Sequence, residues 1–152
     1  MTIEEKISAL GFSVPPTPKP VAAYIPAIQV DRLVFTSGQI PIVNGTLAFK
    51  GKLGKEISKE QGYEAARICA LNALSAIKSV IGDLDRIEQV VKVVGFVASV
   101  EGFTEQPAVV NGASEFLKEV FGSKGVHARS AVGVVELPLG AAVEVEMIVT
   151  IK

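Results

Sequence analysis

Hydrophobic and polar positions alternate strictly from Val143 to Ile151. Val143, Val145, Met147, Val149 and Ile151 fall on one face, and Glu144 and Glu146 fall on the other. This two-residue period predicts a strand with one apolar face. An apolar strand-like run also follows Gly125-Val126-His127-Ala128-Arg129-Ser130, and Leu137-Pro138-Leu139-Gly140 breaks it from the last strand. The longest apolar run lies in Ile87–Val100, where Lys92 is the only charge beyond Val90. Such a run predicts a central strand buried on both faces. Upstream, Tyr24–Val30 and Leu33–Ser37 read as strands of a hairpin around Asp31-Arg32. Asn44-Gly45 signals a turn before a short strand, Leu47–Phe49, and residues 50–57 read as loop.

Between the strands the period changes to that of a helix. Ser58-Lys59-Glu60-Gln61 is a capping box, and Ala66, Ala70, Ala73, Ile77, Val80 and Ile81 keep helical spacing up to Gly82. A second helix is predicted over 104–121, with Pro107 in its first turn and a stripe of Val109, Ala113, Phe116, Leu117, Val120 and Phe121. Ile3, Ile7 and Leu10 suit a short amphipathic helix, and Pro15, Pro16, Pro18 and Pro20 an extended arm. The domain division is therefore 1–20, helix and arm, followed by 21–152, one domain. The order β-β-β-α-β-α-β-β gives an α+β fold, a mixed sheet with two helices packed on one face. No helix remains to cover the other face, although its strands are apolar. Several copies meeting as a barrel would bury it.

Composition supports that oligomer. The chain has 152 residues, of which 49% are apolar, and a mean hydropathy of +0.42. Yet no stretch reaches the roughly 18 uninterrupted apolar residues that span a bilayer. The surplus fits a subunit interface and no membrane. The net charge is −1 and no basic block stands out, which argues against nucleic acid as a partner. The single cysteine, Cys69, fits a reducing compartment, and the single histidine excludes a His-rich metal site. The start lacks an apolar signal core, so a cytoplasmic protein is expected.

Arg129 enters a hydrophobic strand. A charge there requires a structural carboxylate partner, such as Glu144 or Glu146, or an anionic ligand. Its planar fork suits a carboxylate. Glu144 is either an exposed strand residue or, if burial raises its pKa, a general base for water. Ser37, in Thr36-Ser37-Gly38-Gln39, caps a strand end or bonds a ligand. Asn111 sits among apolar helix residues, and Tyr24 opens the first strand as pocket wall or core. His127 is either an incidental loop residue or an aid to proton transfer. No nucleophile elbow and no phosphate-binding glycine fingerprint occur.

Leu33-Val34-Phe35-Thr36-Ser37-Gly38-Gln39-Ile40-Pro41 and Ala128-Arg129-Ser130, with Leu137-Pro138 and Val143-Glu144-Val145-Glu146, resemble the Rid family, also called YjgF and often labelled "endoribonuclease L-PSP". The resemblance runs from about Tyr24 to Ile151. It implies a chorismate-mutase-like fold and a homotrimeric barrel with clefts between subunits. It also implies hydrolysis of reactive 2-imino and 2-enamino acids to 2-keto acids and ammonia, with no metal or organic cofactor. On this likeness Arg129 clamps the substrate carboxylate and Glu144 positions water, with Tyr24, Ser37 and Asn111 around the substrate. Departures are Ala131, where deaminases of the family often carry Cys, Ala22-Ala23 before Tyr24, a longer 43–57 loop and the 1–20 arm. They keep open a non-catalytic trimeric binder of small carboxylates or keto acids. A ribonuclease is the reading that the charge balance favours least.

Overall fold

The alternating strand becomes the middle of the sheet. In the computed structural model, which describes residues 1–17 and 22–152, the elements are α1 (Ile3–Ala9), β1 (Ala27–Val30), β2 (Leu33–Thr36), β3 (Ile42–Val43), β4 (Thr46–Leu47), α2 (Lys59–Ile81), β5 (Ile87–Ala98), α3 (Gln106–Phe121), β6 (Ala128–Val134) and β7 (Val143–Ile151). Five strands form one sheet in the order β1-β2-β7-β5-β6, with β5 and β6 parallel and the other pairs antiparallel. Because β2 and β5 both run against β7, they run parallel to each other. The crossover through α2, from β2 to β5, and the one through α3, from β5 to β6, step in the same direction across the sheet. Two crossovers of the same hand in the same direction put both helices on the same face. The α+β reading, with a mixed sheet and two long helices on one face, holds, and α1 is a third helix.

Local chemistry sets the helix ends. Ser58 accepts from the Gln61 amide and Gln61 reaches back to Ser58, so the capping box forms, and Gly82 ends α2 with a φ of 83°. Below it Ala65, Ala66, Cys69, Ala70, Ala73, Leu74 and Ile77 are buried, with Val93 and Val97 of β5 and Val145 and Val149 of β7. Each Val or Leu so buried contributes about 1.5–3 kcal/mol. Small residues let α3 come close to α2: a methyl group on Gly112 would lie 1.9 Å from the Tyr63 carbonyl oxygen.

Four details differ from the sequence-based expectation. The first strand begins at Ala27 rather than Tyr24. Pro26 has no N–H for the ladder, although its carbonyl still accepts from Ser37 at 2.7 Å. The Asn44-Gly45 turn closes a separate hairpin, β3-β4, instead of leading to a strand of the main sheet. Strand β5 is inside the sheet, yet only its helix-side residues are consistently buried; Val94 and Phe96 on the open face are half-buried because one chain has no second layer there. Finally, the predicted arm is tied to α2 where it is described, Ser75 Oγ donating to the Pro15 carbonyl at 2.6 Å and Thr17 Oγ1 to the Ser75 carbonyl at 2.7 Å, and the helix before it packs on the body. Ile7 is fully buried, Phe12 meets Phe116 edge-on at 6.0 Å, and the Arg67 guanidinium lies 4.4 Å above the Phe12 ring. Pro18 and Pro20 lie outside the described residues.

Candidate functional site

Arg129 is on β6, an edge strand of the sheet, and its side chain turns toward α3. Its Nη1 donates to Asn111 Oδ1 at 2.8 Å and to Ser114 Oγ at 3.2 Å. Both acceptors are neutral. They satisfy the two Nη1 hydrogens and leave the positive charge uncompensated. The Nε–Nη2 edge, the geometry that takes a carboxylate through two parallel bonds, carries no protein partner among the described residues. No ion pair between Arg129 and a carboxylate is present among those residues. An open depression of about 260 Å³ lies here, lined by Asn111, Ser114, Glu115, Lys118, His127 and Arg129 among others. Glu115 is itself engaged by the Tyr63 hydroxyl, whose pKa is pushed up to about 12, first by that hydrogen bond and then by burial.

His127 backs the same cluster. Its Nδ1 lies 2.6 Å from the Gly125 carbonyl oxygen and its Nε2 lies 2.9 Å from Ser114 Oγ. Burial pushes the imidazole below its ordinary pKa, and the nearby Arg129 charge adds to this against the Gly125 hydrogen bond. The neutral ring is the favoured form.

Glu144 belongs to a second cluster. It stands on β7 opposite Phe96, half-buried, and its carboxyl is raised above the usual range by burial and then by Glu146. The carboxylate rests against Gly38, where a methyl group would lie 1.9 Å from Glu144 Oε2, so no other residue type fits there unless the carboxylate shifts. Beside it Ser37 donates its hydroxyl to the Ile25 carbonyl at 2.6 Å, next to the exposed Tyr24. Thr36 is buried and takes the Met147 amide at 3.0 Å, so its hydroxyl serves the sheet.

The register separates the clusters. Arg129 aligns with Val93, which aligns with Met147, whereas Glu144 is three residues from Met147. An odd offset puts Glu144 on the opposite face of the sheet. Three residues along and two strands across amount to about 14 Å. Asn111 and Arg129 therefore come together, and Glu144 lies against Gly38 next to Ser37, which bonds the residue after Tyr24, but one chain does not join the two groups. The structural option that Arg129 pairs with Glu144 or Glu146 of its own chain is thereby removed. Ser114 is the residue that the sequence reading overlooked. Its signal was its place one helical turn after Asn111, on the same face of α3.

Comparisons with known proteins decide the kinship. The sequence model of the family described as "YjgF/chorismate_mutase-like, putative endoribonuclease" matches residues 4–150. This chain belongs to the YjgF/Rid family. The Rid-family match takes in both clusters. Protein TCP17 of Trypanosoma cruzi is 40% identical over 99% of this chain and 94% of its own length. A Dermatophagoides farinae protein named 2-iminobutanoate/2-iminopropanoate deaminase is 33% identical over 93% of this chain and 95% of its own. The crystal structure of Atu1372 from Agrobacterium tumefaciens superposes with a TM-score of 0.94 at 41% identity, covering 99% of this chain and 92% of that one. Among the described residues of this Rid-family chain, no helix is long and apolar enough to cross a membrane and no three His, Cys, Asp or Glu side chains gather to hold a metal.

Proposed function

We propose that the chain is an enamine/imine deaminase that hydrolyses 2-imino acids to 2-keto acids and ammonia, in clefts between the subunits of a homotrimer. The observation that carries this reading is Arg129 held only by neutral acceptors, with its bidentate edge open. In the proposed cleft Arg129 of one copy binds the substrate carboxylate, and Glu144 of a second copy faces the reacting carbon. The open sheet face supports the assembly. Phe35, Val94, Phe96 and Ile148 are half-buried on it, and Val132 is 42% exposed. A protonated imine is already electrophilic, so orientation and a positioned water supply most of the catalysis. Glu144 takes a proton from water as its oxygen adds to C2 and returns that proton to the amino group of the resulting amino alcohol, which leaves as ammonia while the hydroxyl gives up its own proton to form the keto group. A carboxyl raised by burial suits that proton transfer.

The test is release of ammonia and pyruvate from 2-aminoacrylate generated in situ. Wild type should accelerate it. Arg129→Ala should lose about 100-fold or more, the value of two charged hydrogen bonds, and Arg129→Lys should recover only part because the fork is lost. Turnover surviving in Arg129→Ala would refute the assignment. A second reading, a non-catalytic binder of small carboxylates, is favoured by Ala131 at the position where family deaminases often carry Cys. Calorimetry would then give 2-ketobutyrate binding without acceleration of imine hydrolysis.

A further inference from the structure

The hydrogen bonds around Arg129 form a directed chain. The Gly125 carbonyl can only accept, so His127 Nδ1 carries the hydrogen of their 2.6 Å contact. In the neutral ring Nε2 is then an acceptor, and the 2.9 Å contact to Ser114 is a hydroxyl donation to Nε2. With its hydrogen aimed at the ring, Ser114 Oγ presents a lone pair to Arg129 Nη1 at 3.2 Å. Each group's polarity is fixed by the one before it, starting from a backbone carbonyl that cannot reverse.

We propose that His127, acting through Ser114, is a positioning residue for Arg129 and couples carboxylate binding at that arginine to proton uptake by the imidazole. The proposal rests on the carboxylate-binding reading of Arg129. With the ring neutral, Ser114 orients the guanidinium without offsetting its charge. With the ring protonated, Nε2–H points at Ser114 Oγ, the hydroxyl hydrogen must turn away, and a second positive charge stands behind Arg129. A carboxylate on Arg129 offsets that charge and makes protonation easier. By linkage, protonation tightens the carboxylate.

The other charged groups that line the depression with the ring are Glu115 and Lys118 on α3; Lys124 lies in the turn before β6, and Lys92 on β5, aligned with Ala128, falls on the opposite face of the sheet. Glu115 is bonded to Tyr63. Among the described residues, Arg129 is the one charged group that shares a hydrogen-bond partner with the imidazole. The downward shift of the histidine has burial as its main cause and Arg129 as an added one, consistent with this coupling.

His127 is the single histidine of the chain, so its ring nitrogens give one set of NMR signals. Nitrogen-15 spectra of the full-length protein should show the Nδ1–H tautomer, with a titration that moves to higher pH when pyruvate is added. Pyruvate binding by calorimetry should be about fivefold tighter at pH 5.5 than at pH 7.5. That pH dependence should vanish in His127→Gln and persist in Glu144→Gln, and Ser114→Ala should keep the Nδ1–H tautomer that the Gly125 carbonyl sets while weakening the pyruvate-linked shift of the titration. A predominant Nε2–H tautomer, a titration indifferent to pyruvate, or a pH dependence lost in Glu144→Gln would overturn the relay. The tautomer and the linkage are both read on the wild type, so a misfolded variant does not remove the test. Wild type that binds no pyruvate at either pH would overturn the carboxylate reading of Arg129 together with the relay. Wild type that binds it with no change between the two pH values would overturn the relay alone.

Discussion

At Glu144 the carboxyl is half-buried on β7, with Glu146 two residues along on the same face, and both conditions resist its ionisation. Its folded pKa is raised above the unfolded value, so its ionisation subtracts stability at neutral pH, and the deficit fades as pH falls through the folded pKa. Glu144→Gln removes that deficit. The variant should melt above wild type at pH 7, by the order of 0.5 kcal/mol after solvent screening, with the gain shrinking toward pH 4.5, while imine turnover is lost. Calorimetric scans at the two pH values check it. Cys69 is the opposite case. Complete burial pushes its thiol well above the ordinary value, and its sulfur lies 3.6 Å from the Val143 carbonyl. A thiol kept neutral and inaccessible does not attack. Ellman's reagent should react with native protein only at the rate of global opening, and at once in guanidinium.

At the scale of elements, α2 depends on its cap. Ser58→Ala leaves the Gln61 amide unsatisfied and should cost about 1 kcal/mol, read as a lower urea midpoint with an unchanged slope. The elements were legible wherever the sequence held a complete local code: Ser58 with Gln61 and Gly82 bounded α2, and the period of two gave β7 its residues. They were less legible where a missing group decided. Pro26 shortened β1 by withholding a donor, which composition alone does not place. The neutral surroundings of Arg129 were half legible. Asn111 stood out as a polar residue in an apolar helix, but Ser114 did not, because serine on a half-exposed helix turn is ordinary. The reach from His127 to Ser114 joins the residue just before β6 to α3 across 13 residues, a distance that no periodic pattern records. Least legible was the separation of Arg129 from Glu144, because faces can be compared only once β6, β5 and β7 are placed in register.

At the scale of the whole molecule, that separation sets a test of the assembly. If each cleft takes Arg129 from one copy and Glu144 from the next, Arg129→Ala and Glu144→Gln subunits are each inactive alone. Unfolded together and refolded at equal amounts, they should regain about a quarter of wild-type activity, since one cleft in four then pairs two intact residues by chance. No recovery, with mixed trimers verified by mass, would mean that each chain supplies a whole site. Phe96→Asp, on the open face, should yield a smaller particle by light scattering and abolish turnover.

The position of β7 between β2 and β5 has a consequence for synthesis. Ribosomes deliver β2 and β5 first, and these two strands never pair with each other: Val143–Ile151 must arrive to fill the slot between them and bond to both. Until then the nascent chain exposes two strand edges and the apolar rows beside them. Chaperone occupancy on stalled ribosomes should therefore stay high through the making of α3 and β6, then fall once β7 clears the exit tunnel.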